Sequence, residues 1–450
     1  MPLDPGAPVP AGEAAEAPAP IGGHSPAPGT TRGLRHAFRA LRHRDFALFW
    51  TGAFVSSTGM WMQNVTVPFV LNEATGSAAW VGLGGFLQFI PAMLVGPIGG
   101  VFADRFPRRR ILLFTQSLSM TVAFALWVTV ADGRIDPGLI VALVSVSGIA
   151  SGFGIPAWQS FVAELVPRES LLNAVSLNSA QFNASRAIGF MVGGLTLQAF
   201  GPGVAFLANA TSYLAVIGAL ILIRAGREVV APPPEGRESA RGSFASAVAY
   251  VRARPGIMLA MVTVAFVAFL GNPVILLAPV FAREEFGVSQ QAYGFLAAAL
   301  GIGATTGTVL LGAYGDALRR SRLTTVSIAV YGLAVTGMGL TPSYTGGLAA
   351  MFLIGLGYLV IVSALNTSIQ ETVDPGFRGR VMAIYGMSFT GAFPVGALLQ
   401  GFLTDVIGVR PVVTAAGLLL VGYAAFLSWR PALARSLDAD YLRESPGTLA

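Results

Sequence analysis

The chain has 450 residues, of which 54% are hydrophobic and 11% are charged. Soluble proteins carry about 25% charged residues, so this composition excludes an ordinary soluble enzyme and predicts a polytopic membrane protein. The net charge of +6 comes from arginines dispersed in small groups between apolar segments, which does not fit a surface that binds nucleic acid. Cysteine is absent, which excludes disulfides and thiol chemistry.

Residues 1–43 precede the first apolar segment and predict a disordered, basic cytoplasmic tail. Their first part is rich in proline, alanine and glycine, and it lacks the basic and apolar regions of a signal peptide. Arginines then follow up to the first membrane segment, at Arg32, Arg35, Arg39, Arg42 and Arg44. We expect them to hold this end of the helix in the cytoplasm, in contact with anionic membrane lipids.

Twelve apolar segments of membrane-spanning length follow one another along the chain. They fall near residues 46–71, 80–101, 111–131, 138–162, 171–199, 203–224, 256–280, 291–313, 323–341, 347–370, 381–405 and 411–430. If the N-terminus is inside, 24 arginines lie in inner loops and tails and three lie in outer loops. Because cytoplasmic loops are enriched in arginine, this imbalance predicts that both termini are cytoplasmic.

A polar, proline-broken linker divides the twelve segments into two groups of six. It runs over residues 226–254 and contains three successive prolines. The sequence thus predicts an N-terminal bundle over 44–225, a C-terminal bundle over 255–431 and a cytoplasmic tail over 432–450. Residues 244–251, near the end of the linker, predict a short helix at the membrane surface.

The two bundles resemble each other at offsets of 207 to 212 residues. Matching residues recur in the same order: Asn64 with Asn272, Gly82 with Gly294, Gly100 with Gly312, Asp104 with Asp316, Gly148 with Gly355, Glu164 with Glu371, Gly189 with Gly396 and Gly194 with Gly401. So many pairs within so narrow a range of offsets indicate a parallel duplication of six spans. Halves of that kind usually enclose a pathway near the middle of the membrane.

A compact charged hairpin joins segments 2 and 3, and a weaker copy joins segments 8 and 9. The first reads Gly100-Val-Phe-Ala-Asp104-Arg105-Phe-Pro-Arg108-Arg109-Arg110, and the second runs from Gly312 to Arg322. Asp104 stands at the C-terminal end of its own helix, where the helix dipole disfavours an anion. It therefore needs a partner from elsewhere in the protein.

Together with the layout of six plus six segments, this hairpin resembles that of the major facilitator superfamily. Residues 44–50 (Arg-Asp-Phe-Ala-Leu-Phe-Trp) and Leu165-Val-Pro167 before Ala174-Val-Ser-Leu-Asn178 are similar to its bacterial exporter branch, which includes enterobactin exporters and macrolide efflux proteins. The resemblance implies an all-α membrane protein with twelve transmembrane helices in two six-helix bundles.

The resemblance also implies a latch that closes the cytoplasmic side. Its first part would consist of Gly100, Asp104, Arg105, Arg108 and Glu164, and its mirror of Asp316, Arg320, Glu371 and Arg380. The alternative is that these charges only fix the membrane topology. Because the second copy has lost an arginine, we expect Asp104 to matter more than Asp316.

In this superfamily segments 1, 4, 7 and 10 line the central pathway, and each of them carries amide side chains here. The candidate residues of a substrate cavity are Gln63, Asn64, Gln159, Asn272, Asn366 and Gln370, together with Arg186. The alternative for the amides is that they hydrogen-bond neighbouring helices and hold the bundle together.

Arg186 is the one charged residue that lies deep within a predicted span. An arginine at the centre of a bilayer costs roughly 2.5 kcal/mol or more, so its side chain should face protein or water. It would then bind an anionic or carbonyl-bearing substrate, or gate the cavity. The alternative is that the side chain extends toward the inner membrane surface.

Enzymatic chemistry finds no support in the residue pattern. The three histidines, His24, His36 and His43, all lie in the N-terminal tail, and no Gly-x-x-x-x-Gly-Lys loop occurs to bind a nucleotide phosphate. We therefore expect neither a metal site nor a cofactor, and transport that is not driven by ATP within this chain.

These observations predict a monomeric secondary transporter of a bacterial cytoplasmic membrane. It would export a small amphipathic molecule such as a siderophore, a drug or a natural product, by alternating access. Protons are the coupling ion that the resemblance implies, although Gly189-Phe190 stands where antiporters have Gly-Pro. The alternatives are a lysophospholipid flippase, an uptake carrier, and a membrane sensor that transports nothing.

Overall fold

The computed structural model describes residues 38–133, 135–224, 240–288, 290–315, 318–374 and 376–438, and the regular structure in these ranges is helical. The helices are α1 (Arg44–Thr75), α2 (Ala78–Arg105), α3 (Arg108–Ala131), α4 (Pro137–Glu164), α5 (Leu171–Leu222), α6 (Ala240–Arg252), α7 (Pro255–Leu270), α8 (Pro273–Val280), α9 (Gln290–Tyr314), α10 (Arg320–Leu340), α11 (Tyr344–Thr372), α12 (Arg378–Ile407), α13 (Val409–Trp429) and α14 (Pro431–Arg435).

Within the described residues, ten helical stretches are long and apolar enough to cross a membrane. Each of the twelve predicted segments overlaps a helix. The ten stretches are fewer than the twelve predicted segments for two reasons. Helix α1 is not among the ten, and α5 counts once although it contains the two predicted segments 171–199 and 203–224.

Helix α5 changes direction at Gly201, which divides it into two limbs. Gly201 has φ 80° and ψ 177°, a conformation that only glycine adopts readily, and Pro202 follows it. Proline has no N–H to continue a helical ladder but fits well at the start of a new helix. The limbs therefore behave as two helices, as the two separate apolar segments predict.

The parts of the predicted tail and linker that are described belong to the folded protein. Residues Arg39–Arg42 form one turn of 3-10 helix, and the buried Ala40 donates its backbone N–H to Asn173 Oδ1 at 2.8 Å. Helix α6 spans the last part of the predicted linker and includes residues 244–251, where a surface helix was predicted. Residues 1–37 and 225–239 lie outside the described residues.

Polar contacts sort the helix ends into two groups. One end of the protein holds Arg108 with Glu164, Arg254 with Asp374, and Arg320 with Glu371, and we call it the arginine-rich end. The opposite end, which we call the far end, holds the α1–α2 turn, the start of α9 and the α12–α13 turn. The residues that contact each other there include Asn72, Ser77, Arg283 and Asp405.

The helices before the linker and those after it pack as two halves. Within the first half α1 packs on α5, and α2 on α4; within the second half α9 packs on α11, and α10 on α13. Between the halves, α2 packs on α12 and α5 packs on α9. We call these last two contacts the glycine seams, because glycines let the backbones approach.

Matching residues of the sequence repeat make matching contacts in the two halves. In the first seam Gly82 lies against Gly401, and in the second seam Gly294 lies against Gly194; in each case a Cβ would overlap the opposite backbone. Gly148 likewise packs on the carbonyl of Gln88, and its counterpart Gly355 packs on the carbonyl of Leu300. Gln88 and Leu300 are themselves 212 residues apart, as Gly82 and Gly294 are. The offsets found in the sequence thus reappear as contacts.

Candidate functional site

The predicted latch residues of the first half lie at the arginine-rich end, where Arg108 and Glu164 form an ion pair. This pair ties the start of α3 to the end of α4. Arg109 donates to the carbonyl oxygens of Leu220 and Ile221, at 2.6 and 3.1 Å, where the last turn of α5 leaves them without helical partners. Asp104 and Arg105 lie on the exposed surface at the end of α2.

Two of the mirror residues in the second half, Arg320 and Glu371, form a similar ion pair. Arg320 Nη2 lies 3.1 Å from Glu371 Oε1, and its Nη1 donates to the Gly315 carbonyl at 3.1 Å. Arg380 donates to Ser246 Oγ, on α6, at 3.3 Å. Asp316 lies outside the described residues.

The two latch ion pairs that the structure describes, Arg108 with Glu164 and Arg320 with Glu371, each join helices of the same half. Ion pairs at the protein surface contribute about 0–1 kcal/mol each, and these two are partly exposed, so they position the ends of helices more than they stabilise the fold. In this conformation they do not bridge the halves.

The far end, by contrast, is closed by contacts that cross between the halves. Asp405, near the end of α12, accepts hydrogen bonds from Ser77 Oγ at 2.5 Å, Ala78 N at 2.7 Å and Ala79 N at 3.2 Å. These groups form the N-terminus of α2, where the helix dipole favours an anion. A carboxylate of the second half therefore caps a helix of the first.

Two further contacts complete this closure. Arg283 donates to the Asn72 carbonyl at 2.9 Å, near the C-terminal end of α1, where the helix dipole favours a cation. Tyr293 donates its hydroxyl to the Val65 carbonyl at 2.9 Å and stacks on Phe69 with the ring centroids 5.5 Å apart. We call the contacts of Asp405, Arg283 and Tyr293 with the first half the far-end seal.

Glycines report how closely the halves approach at each end. In the far half of the seams, a Cβ on Gly82, Gly194 or Gly401 would overlap the opposite half. Toward the arginine-rich end of α2 and α9, a Cβ on Gly100 or on its counterpart Gly312 would meet no atom within 4 Å. The halves are thus tightly packed at the far end, and these two positions at the arginine-rich end face open space.

Arg186 lies between the halves, on the first limb of α5. The residue is 7% exposed, and it is the only charged residue among the buried residues that the structure describes. Nη2 donates to Asn183 Oδ1 at 2.9 Å and Nη1 approaches the hydroxyl of Tyr358, on α11, at 3.5 Å. The guanidinium therefore points into protein at the contact of the two halves, not toward the membrane surface.

Three of the predicted cavity amides hydrogen-bond within their own half. Gln63 accepts from Asn209 at 2.8 Å, Asn64 accepts from Gln88 at 2.6 Å, and Asn272 accepts from Tyr331 at 3.3 Å. Because their polar groups have protein partners, these residues fit the alternative in which amides hold neighbouring helices together.

The other three predicted amides lie nearer the arginine-rich end. Gln159 on α4 and Gln370 on α11 are exposed, and Gln370 donates a hydrogen bond to Asn366 one turn earlier. No membrane or ligand is present to separate a surface that faces lipid from one that faces a pathway. Their role in binding stays a prediction.

Sequence reasoning did not identify Tyr358, Arg283 or Asp405 as functional candidates. Tyr358 carries a weak signal, since a hydroxyl in an otherwise apolar span needs a partner. Asp405 carries the same signal as Asp104, because each is an aspartate at the C-terminal end of its own helix. That reasoning, applied to every helix, would have found it.

The sequence from residue 35 to residue 445 matches the profile of a family described as transmembrane secretion effector. Macrolide efflux protein A of Streptococcus pyogenes is 24% identical over 388 residues, which cover 84% of this chain and 93% of that protein. The enterobactin exporter EntS of Escherichia coli is 27% identical over 403 residues, which cover 86% of this chain and 92% of that protein.

Solved structures of transporters share the fold. A mutant of the nucleoside transporter NupG superposes with a TM-score of 0.67 at 12% identity, covering 86% of this chain and 99% of that one. A bacterial homologue of the human lysosomal transporter Spinster gives a TM-score of 0.62 at 18% identity, covering 93% of this chain and all of that one. At these identities the likeness concerns the fold alone.

Proposed function

The chain belongs to the transmembrane secretion effector family of the major facilitator superfamily, and from that premise we propose that it is a secondary active exporter of a small amphipathic molecule. It is a multi-pass membrane transporter and not an enzyme. In the proposed cycle, a central site opens alternately to the two sides of a bacterial cytoplasmic membrane.

The proposed architecture is twelve membrane-spanning helices in two halves of six. Each half has six spans if the two limbs of α5 are counted as two spans and α7 with α8 is counted as one. The matching contacts of Gly82 with Gly401 and of Gly294 with Gly194 support a pseudo-twofold relation between the halves. Such a relation is typical of carriers whose site lies near the middle of the membrane.

The proposed orientation puts the arginine-rich end and both termini in the cytoplasm. The inner loops and tails of this topology hold 24 of the 28 basic residues, and the outer loops hold three. Ion pairs such as Arg108 with Glu164 would then lie among the lipid headgroups or in the cytoplasm.

One observation carries the proposal: contacts between the halves seal the far end, whereas the ion pairs Arg108–Glu164 and Arg320–Glu371, described at the other end, each lie within one half. In the proposed orientation this is the conformation that receives a substrate from the cytoplasm. Export then requires the far-end seal to open while the arginine-rich end closes, which would bring the predicted latch of Asp104 and Asp316 into use.

Proton entry is the driving force that the resemblance implies, and we retain it in the proposal. Arg186 is the only buried charge among the described residues, so a carboxylate that carries protons would have to lie at the ends of the helices. Asp405 belongs to the far-end seal, and Glu73 and Glu284 lie close enough to Arg283 to interact with its charge.

A lysophospholipid flippase or an uptake carrier is the alternative within transport, and a membrane sensor is the alternative outside it. The efflux relatives favour export over both. A flippase would open sideways to lipid, whereas an exporter of soluble molecules needs openings only at its two ends.

The experiment uses a reversible lock across the first glycine seam. A Cβ on Gly85 would lie 3.6 Å from the Cβ of Ala397, which is a suitable separation for a disulfide, and the chain has no other cysteine to interfere. We expect cells that express Gly85→Cys with Ala397→Cys to retain more of the exported compound when the pair is oxidised, and to recover export when it is reduced.

The measurement is intracellular content, by mass spectrometry, of enterobactin, a macrolide and the native metabolites of the host. The reduced form of the same protein and each single cysteine variant are the matched controls. The chain is not an exporter if two results are found together. Oxidation and reduction of the cysteine pair leave the content of every compound unchanged, and expression of the wild type changes the content of none.

A further inference from the structure

Arg186 is a buried cation without an anionic partner in the part of the chain that the structure describes. Its two hydrogen-bond partners, Asn183 and Tyr358, are neutral. The Nε atom is buried and has no hydrogen-bond partner. A buried charge is normally compensated by an ion pair or a full set of hydrogen bonds, and this one has neither.

The free Nε atom defines the kind of group that would complete the site. A guanidinium binds carboxylate, sulfonate or phosphate oxygens through two parallel N–H donors, of which Nε is commonly one. At Arg186 the Nε donor is unused, and the neighbouring Nη2 donates only to the side-chain oxygen of Asn183, which a ligand oxygen could replace. An oxyanion is therefore the kind of group that would satisfy the free Nε donor, once the halves part enough to admit it.

Flat aromatic rings surround the guanidinium. The Tyr358 ring centroid lies 5.2 Å from Arg186 Cζ, and the Trp61 centroid lies 5.7 Å from it. Trp61 in turn packs against Phe182 and Phe190. Such surroundings bind flat, apolar rings well, and Trp61 and Tyr358 belong to opposite halves, so a ligand here would contact both.

From this geometry we infer that the substrate is an aromatic anion, whose acidic group binds Arg186, and that an inside-negative membrane potential contributes to its export. This inference rests on the proposed export function and adds the substrate class and an electrical component of the driving force. The occupant is defined by its chemistry: one or more aromatic rings that carry a carboxylate, sulfonate or phosphate.

The charge balance of the cycle follows from the pairing. With the anion bound, the charges of substrate and Arg186 cancel, so the step that carries the substrate outward moves no net charge. The empty carrier keeps the positive charge of Arg186, and an inside-negative potential favours its return. Each cycle exports one negative charge on the substrate, so 100 mV contributes a factor of about 50 to the concentration ratio, in addition to any contribution from protons.

Binding is tested on the full chain in lipid nanodiscs. The probe is naphthalene-1-sulfonate, an aromatic anion whose charge does not depend on pH, compared with the neutral naphthalene-1-sulfonamide. We expect Arg186→Gln to weaken anion binding at least 10-fold and to leave sulfonamide binding unchanged. Arg186→Lys should fall between, because an ammonium keeps the charge but loses the fork.

The matched control is Arg110→Gln, which removes an exposed arginine of the charged hairpin. It should bind both probes as the wild type does. The inference is wrong if the wild type does not bind the anion, or if Arg186→Gln binds it as tightly as the wild type.

Transport is tested in proteoliposomes with a potential set by potassium and valinomycin. At equal pH on both sides, efflux of naphthalene-1-sulfonate should accelerate with an inside-negative potential. Efflux at the same rate with and without the potential would overturn the inference.

The outcomes separate this inference from the proposed function. If efflux of the probe ignores the potential but the oxidised Gly85→Cys, Ala397→Cys pair still blocks it, the exporter stands and the inference fails. If the locked pair changes the content of no compound in cells, the proposed function itself fails.

Discussion

Asp405 lies at the C-terminal end of α12, and its carboxylate caps the N-terminus of α2. Its oxygens accept from Ser77 Oγ, Ala78 N and Ala79 N across the boundary between the halves. Hydrogen bonds to a charged group contribute about 1.5–3 kcal/mol, and the helix dipole adds about 0.3–1 kcal/mol. At the scale of a residue, Asp405 thus makes three hydrogen bonds between the halves at the far end.

Asp438 offers a matched comparison, because it performs the same task within one half. It accepts from Ser321 N at 2.8 Å and Ser321 Oγ at 2.7 Å, at the start of α10. Replacing either aspartate by asparagine removes the charge and keeps the shape. Only the change at Asp405 weakens a contact between the halves.

We expect Asp405→Asn to make the far end open more often, by about 10-fold for a loss of about 1.4 kcal/mol. The measurement is the rate at which a membrane-impermeant maleimide modifies Phe69→Cys, a position buried under Tyr293. Asp438→Asn in the same background should leave that rate unchanged. Equal rates in the two variants would show that Asp405 does not hold the seal.

Arg186 illustrates what a sequence can and cannot predict about a site. Its isolation in an apolar span identified it as a candidate, because a single charge there is costly. Its contacts with Tyr358 and Trp61 could not be predicted, since they depend on how two halves meet. For the same reason the amides Gln63 and Asn64 looked like pathway residues, although both hydrogen-bond within the first half.

At the scale of helices, the glycine seams decide where the halves touch. Gly294 faces the backbone of Gly194, so there is no flexible side chain that could move aside for a methyl group. Gly100 faces open space in the same conformation. The two positions therefore separate the packing role of a glycine from its effect on helix propensity.

Gly294→Ala should destabilise the protein by about 1–3 kcal/mol, because the added methyl forces α5 and α9 apart. Gly100→Ala should be neutral or stabilising by up to about 1 kcal/mol, because alanine favours the helix. The measurement is Tm in detergent micelles. A Tm for Gly294→Ala equal to or above that of Gly100→Ala would contradict the tight seam.

The positions of the helices were largely predictable, because arginines and turn residues delimit the apolar runs. Predicted segment 138–162 compares with α4 at Pro137–Glu164, where Asp136 caps the start. The interruption between α7 and α8 was not predicted. Pro273 signals it, but whether such a proline bends or breaks a helix depends on the neighbours that accept the freed groups.

At the scale of the whole molecule, the sequence and the structure draw attention to opposite ends of the protein. The sequence predicted a latch at the arginine-rich end, from a charged hairpin and its copy. The structure shows the conformation in which the far end is sealed instead, through Asp405, Arg283 and Tyr293. Which end is closed depends on contacts between distant helices, and the order of residues along the chain does not determine it.

Alternating access requires the two ends to change together, and the absence of cysteine makes this measurable with spin labels. Glu169→Cys with Arg322→Cys labels the halves at the arginine-rich end, and Asp132→Cys with Thr345→Cys labels them at the far end; all four residues are exposed. Electron-electron double resonance then gives the distance between the halves at each end in liposomes.

We predict a short far-end distance and a long distance at the arginine-rich end in the wild type. In the Asp405→Asn background, a second population should appear in which the far-end distance is longer and the other is shorter. A single unchanged distance at both ends, in the wild type and in Asp405→Asn alike, would contradict a carrier whose halves alternate.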